Sequence, residues 1–320
     1  MLPAQRTALD TFRWHWSHGP IDIVAEAHGD ADAVAAAHEA AWKRIGVLLS
    51  ELVGELALLR QPVGNGVNPF KGPVAQAMWA ACAPFSAGFI TPMAAVAGAV
   101  AQELIGFYRG AGIERAWINN GGDIALHLAP GHSVRVGLFA DLARFDPRDA
   151  GCMETDGQFD IVSSLPVRGV ATSGWRGRSF SLGIADSVTV LAATAAQADA
   201  AATVIANAVD VRDAGIHRWP ASECKDDSDL GNIPVTVDVE RLAPAQVGQA
   251  LDAGLACALA LQKAGLVWSV VLVCQGQHRT VEPLYSKAVA PLPVLPQSVP
   301  RAHGAIKQGC AEESVGSVFA

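Results

Sequence analysis

Residues 195–208 are mostly Ala, Val and Ile, and this run carries a single acidic residue, Asp199. A helix that is apolar on nearly every side has to be packed on nearly every side. An unpaired carboxylate in such a helix is costly to bury. Thr194, with Gln197 three residues on, fits a capping box that opens the helix, and an apolar strand at 188–193 leads into it. Asp199 and Thr203 are four residues apart, so their oxygens share one helix face. A hard cation such as Mg2+ takes one or two carboxylates together with ligand phosphates and water. The competing interpretation is an Asp near the positive end of its helix and a Thr bonded back to its own backbone.

Two further segments carry polar groups suited to a ligand. Asn119, Asn120, Gly121, Gly122 and Asp123 form a turn whose N–H groups suit a phosphate, and whose spacing equally suits a plain hairpin. Asp123 could fix that turn through its own side chain. Thr172, Ser173 and Gly174 offer two hydroxyls and a flexible backbone position, or simply a hydroxyl-stabilised turn. Arg176 and Arg178 follow closely and could neutralise a phosphate or carboxylate. Ser173 as a nucleophile is disfavoured, because no histidine lies near it in sequence. His15 and His18 sit in an aromatic stretch, as packing residues or at a site's mouth. Asp226, Asp227 and Asp229 read as a turn, since the downstream Glu of a calcium loop is missing.

The net charge of −8 lacks the basic footprint that a nucleic-acid backbone requires. Apolar residues make up 51% of the 320, which excludes disorder throughout. Cys82, Cys152, Cys224, Cys257, Cys274 and Cys310 show no metal-like spacing and are expected reduced, in keeping with a cytoplasmic location. Arg6, Asp10 and Arg13 interrupt the place where an export signal would need an apolar run. No charge occurs from Gly72 to Gln102, but Pro73, Pro84 and Pro92 cut the stretch into a buried strand and a buried helix rather than a membrane span.

Along the chain the periodicity predicts a strand at 21–27, a helix from about 30 to 60 and a loop at 61–72. A helix from Met93 to Arg109 is expected to follow, with Thr91 as N-cap and Pro92 at its first position. Strands at 115–119, 124–128 and 134–139 precede a loop at 140–160. The second half adds a strand at 234–239, a helix at 244–265 and a strand at 267–275. Residues 1–282 are expected to form one domain, with halves of roughly 10–165 and 166–282 hinting at duplication. The Pro-rich tail 283–320 is expected outside the core.

Asn120–Asp123, Thr172–Gly174 and Ala198–Thr203 resemble the three central motifs of the ApbE superfamily, over a stretch from about Thr91 to Ala208. The flanking residues Arg13–Pro20 and Asp227–Gly231 look closest to a cytoplasmic, functionally unassigned branch. The resemblance implies an α+β, T-fold-like architecture with two similar halves and a ligand between them. It also implies FAD and Mg2+ as ligands, the best-known members transferring FMN onto a threonine of a target protein. On this basis Asp199 and Thr203 would hold Mg2+. Thr91, Asn119, Asn120, Gly121, Gly122, Asp123, Thr172, Ser173 and Gly174 would contact FAD or FMN, with phosphates at the helix start and the glycine turn.

Two departures stand out. Flavin transferases usually carry Lys-Gly after the glycines of their first motif, where this chain runs Ile90–Gly98. They also carry a histidine-containing segment after the Thr-Ser-Gly, where this chain runs Arg178–Asp186 with no histidine. The resemblance therefore implies a metal and nucleotide site, with cleavage or transfer at the phosphoanhydride, more directly than FMN transfer to protein. Arg178 and Asp186 are then the candidate catalytic residues, with Asp186 a base, a second metal ligand or equally an ordinary strand-entry turn residue. The alternatives are a flavin-independent hydrolase or lyase acting on a small anionic substrate, and a non-catalytic binding protein. A homo-oligomer is expected, with no nucleic-acid or membrane partner.

Overall fold

The computed structural model describes residues 3–138, 157–226, 228–284 and 316–319. Its first part runs β1 (Gln5–Ala8), β2 (Arg13–His18), β3 (Ile21–Gly29), α1 (Ala31–Gly54), α2 (Leu56–Leu59), α3 (Pro73–Cys82), α4 (Val96–Ile105), β4 (Ile113–Asn120) and β5 (Asp123–Leu128). Then come β6 (Ser133–Leu138), β7 (Gly157–Val162), β8 (Gly169–Ser173), β9 (Ser187–Ala192), α5 (Ala195–Ala208), β10 (Ile216–Pro220), α6 (Ala221–Cys224) and β11 (Pro234–Val239). The remaining elements are α7 (Pro244–Lys263), β12 (Ser269–Cys274), β13 (Gln277–Val281) and β14 (Gly316–Phe319).

Among the described residues nine strands form one sheet, in the order β1-β2-β3-β4-β5-β8-β9-β12-β13. Every pairing in it is antiparallel. The fold is α+β, and its order repeats. Strands β2-β3-β4-β5 lie side by side in chain order, with α1 to α4 inserted between the second and third. Strands β8-β9-β12-β13 do the same, with α5 to α7 inserted at the equivalent point. The two halves join where β5 meets β8, through Ile124 opposite Val170 and Ala125 opposite Gly169.

Side-chain alternation gives the sheet two different faces. Ile23, Ala25, Ala27, Ala116, Ile118 and Ala125 pack under α1, α3 and α4, while Ala171, Val188, Val190, Val270 and Leu272 pack under α5 and α7. On the opposite face Trp117, Ile124, Leu126, Val170 and Leu191 pack against β6 and β7, which form a second sheet with β14. Strand β14 belongs to the segment expected outside the core, yet it pairs in parallel with β6.

Local expectations fared unevenly. The helix after Thr91 is not continuous: a 3-10 turn covers Pro92–Ala95, and the α-helix starts at Val96. Thr91 makes no side-chain capping bond there. The charge-free stretch holds helix α3 instead of the expected strand; Pro73 occupies its first turn, where a missing N–H does no harm. Strands β1 and β2 were not anticipated. The predicted loop at 140–160 falls mostly outside the described residues, and strand β7 already begins at Gly157. Thr194 does cap α5, accepting from the Gln197 N–H at 3.3 Å. The Gln197 amide leaves the capping box open and donates to the Leu266 carbonyl at 2.9 Å. Among the described residues no helix is long and apolar enough to cross a membrane.

Candidate functional site

Helix α4 starts with amides that have no partner inside the helix. The side chain that serves them comes from α5: the Gly98 N–H donates to Asp199 Oδ2 at 2.9 Å, and the Ala97 N–H adds a second bond. Such an approach requires glycine at 98, because a Cβ there would lie 2.4 Å from the Ala195 carbonyl oxygen and 2.8 Å from Asp199 Cβ. The cost of burying Asp199 is therefore partly offset by the backbone. Burial still pushes its pKa up to about 7, the two N–H bonds acting in the other direction.

Asp123, the first residue of β5, is buried on the same side of the sheet. Burial first, and the negative charge of Asp199 second, raise its pKa well above the ordinary value; an N–H bond from Thr172 opposes them. Its Oδ1 is buried with no hydrogen-bond partner. Two carboxyls at the junction of the halves thus repel each other out of water's reach, and one oxygen is left over. Such a pair is comfortable only with a shared proton or a cation between its members.

The glycine turn is built by its asparagines rather than by Asp123. Gly121 and Gly122 have φ of 68° and 110°, and Asn119 Oδ1 accepts from the Gly122 N–H at 2.8 Å. Asn120 Nδ2 donates to the Ala97 carbonyl at 3.1 Å, tying the turn to the start of α4, while its Oδ1 accepts from the Asp22 N–H at 3.4 Å. Both asparagine side chains are thus engaged by the fold itself.

The Thr172–Gly174 segment divides between the faces of the sheet. Thr172 gives its N–H to Asp123, but its hydroxyl pairs with that of Thr189 at 2.9 Å. Ala171 and Val188 point toward the helices, so alternation turns Thr172 and Thr189 away from Asp199. Of the two hydroxyls, Ser173 is the one on the helix side. Gly174 allows close contact, since a Cβ there would lie 2.3 Å from the Asp186 carbonyl oxygen.

Asp186 has structural duties. Trp175 Nε1 donates to its Oδ1 at 3.3 Å, the Gln275 N–H donates to its Oδ2 at 2.5 Å, and Arg176 Nε lies 3.8 Å from Oδ1. Gln275 has a φ of 44°, so Asp186 braces a strained turn between β12 and β13. Arg178, by contrast, comes back over the glycine turn, its Nη1 3.0 Å from where a Gly121 Cβ would stand and 4.0 Å from Asp22 Oδ2. His15 Nε2 meets Asp22 Oδ1 at 2.5 Å, whereas the buried His18 donates from Nδ1 to the Ile45 carbonyl at 3.0 Å. Of the two histidines, only His15 contacts Asp22, the neighbour of Arg178.

Thr91 is buried and donates its hydroxyl to Asp229 Oδ2 at 2.5 Å. Asp229 therefore has a partner that its reading as a mere turn residue did not give it. Asp22 was missed as well, and the strand pattern around it holds no signal beyond its acidity. Thr203 stands one turn beyond Asp199, half-buried. Among the described residues no group of three or more His, Cys, Asp or Glu is placed to hold a metal ion. The available set is all oxygen: two carboxyls, with a hydroxyl on the same helix face.

A two-halved α+β domain, with a glycine turn beside a buried carboxyl pair, defines the molecule as ApbE-like. The family model described as "AbpE bacteria" matches residues 4–280, and the chain belongs to that family. It is 38% identical over 134 residues to a UPF0280 protein of Methanospirillum hungatei, covering 42% of this chain and 50% of that one. A UPF0280 protein of Methanothermobacter thermautotrophicus is 39% identical over 122 residues, covering 38% and 43%. The chain thus spans about half the length of the curated relatives it matches. A solved structure of the ApbE protein from Thermotoga maritima is 13% identical, with a TM-score of 0.39 over 89% of this chain and 98% of that one.

Proposed function

We propose that the protein binds a flavin nucleotide, FAD or FMN, together with Mg2+ at the junction of its two halves. The observation that carries this reading is the unpartnered Oδ1 of Asp123, buried beside the carboxyl of Asp199. An all-oxygen set with two carboxyls suits a hard cation that completes its shell with phosphates and water. Asp123 and Asp199 would hold the ion, and the Thr203 hydroxyl would lie on the same side. When bound, Mg2+ supplies Lewis-acid stabilisation of charge on a phosphoanhydride.

The chain's own residues do the rest. The Ala97 and Gly98 amides hold the Asp199 carboxylate, and Asn119 and Asn120 hold the glycine turn in place. Arg178 then lies where a phosphate over that turn would meet a guanidinium. Asp186 braces its loop and is not assigned a base role in this reading. Unpaired thiols at Cys82, Cys224, Cys257 and Cys274 support a reducing, cytoplasmic setting.

Calorimetric titration of FAD, with and without Mg2+, tests the proposal. Binding that needs Mg2+ and is lost in Asp199→Asn is the expected result. FAD binding that ignores both would sink it.

A further inference from the structure

Arg178 lies over the Gly121–Gly122 turn without a hydrogen bond of its own among the described residues. Its guanidinium lies against the bare backbone of Gly121, and its charged neighbour is Asp22, at 4.0 Å from Nη1. At that separation the pair is a loose contact rather than a bidentate one. The Arg178 side chain is 63% exposed and that of Asp22 31%, so the guanidinium faces open solvent with its donors unused. Asp22 is held more firmly from its other side, where Oδ1 meets His15 Nε2 at 2.5 Å. Its backbone N–H goes to Asn120, so the strand, and not the side chain, fixes where the carboxylate stands.

We propose that His15, Asp22 and Arg178 form a metal-independent recognition site for a phosphate group at the rim of the Gly121–Gly122 turn, in which the Asp22 carboxylate occupies the place of the ligand's oxyanion until the ligand arrives. This deepens the nucleotide reading and rests on it for the identity of the ligand, though not for the site itself. A carboxylate 4.0 Å from a guanidinium neutralises it without satisfying its fork of donors. An incoming phosphate offers three oxygens to that fork and can make the paired bonds that Asp22 does not. His15 acts as the positioning residue. It keeps a partner on Asp22 once Arg178 turns to the phosphate, so the displaced carboxylate is not left alone. Asp22 thereby sets specificity: a neutral ligand gains nothing by competing with it, and a weakly basic anion gains little.

The test is calorimetric titration of inorganic pyrophosphate into the full-length protein in excess chelator, so that no divalent ion takes part. Asp22→Asn should tighten binding about tenfold by removing the internal competitor, and Arg178→Ala should weaken it by at least about the same factor. His15→Phe should weaken binding by leaving Asp22 only Arg178 to pair with. That loss should vanish in the His15→Phe, Asp22→Asn double variant, a coupling that a general structural defect would not produce. Thermal unfolding of each variant separates loss of binding from loss of fold. Equal or weaker binding by Asp22→Asn overturns the proposal, as does the absence of binding in both wild type and Asp22→Asn. Pyrophosphate binding that appears only with Mg2+ and disappears in Asp199→Asn also overturns it, while leaving the metal-site reading intact.

Discussion

The N–H of Gly98 donates to the Asp199 carboxylate across 101 positions of sequence, at 2.9 Å. Through this bond the second half of the molecule caps a helix of the first, and the capping group is also the candidate metal ligand. The two roles can be separated. Asn at 199 keeps an oxygen for the cap but carries no charge. In chelator at pH 8, Asp199→Asn should therefore be more stable than wild type by at least about 1 kcal/mol, since it removes a carboxylate that burial disfavours. Urea unfolding measures this, and a less stable variant would show that burial does not disfavour that carboxylate.

Gly98→Ala should cost on the order of 1–3 kcal/mol, because the new Cβ would press on the Ala195 carbonyl and force α4 and α5 apart. The same separation moves Asp199 from Asp123, so Mg2+ affinity should fall alongside stability. Comparison with Gly46→Ala provides the control, since a Cβ at Gly46 meets nothing within 4 Å.

His38 gives an acid-side dependence. It is buried among Trp16, Tyr108 and Trp14 and paired with the Tyr108 hydroxyl at 2.7 Å. Burial lowers its pKa to about 4 from the usual 6.5. Between those values the unfolded chain holds a proton that the folded one refuses, so stability falls as pH drops from about 6.5 toward 4. The contribution is at most about 3 kcal/mol. His38→Gln should flatten this part of the stability–pH curve measured by urea unfolding; an unchanged slope would mean that His38 is protonated in the fold.

Thr91→Val keeps the shape and removes the hydroxyl that reaches Asp229. A loss of about 1 kcal/mol is expected, with faster amide exchange at 228–231. Exchange that stays at the wild-type rate would mean that other contacts hold this turn.

What was legible in the sequence was local. The Thr194 cap, the glycine turn and the one carboxylate in an alanine-rich helix all announce themselves within a few residues. The meeting of Asp123 with Asp199 depends on which strands pair, and no periodicity reports that. Thr172 illustrates the same limit: register alone decides that its hydroxyl faces Thr189 while Ser173 faces the helices. Helix α3 was read as a strand because a short apolar run between prolines fits either state. Asp22, Arg178 and Asp229 take their meaning from partners 156, 156 and 138 positions away, respectively.

The most direct measurement is the binding of Mn2+, as a paramagnetic substitute for Mg2+, to wild type, Asp123→Asn and Asp199→Asn by electron paramagnetic resonance. One bound ion in wild type and none in either variant, both remaining folded, is the result this account predicts. Binding by Asp199→Asn at wild-type affinity, or no binding to wild type even with FAD present, would contradict it.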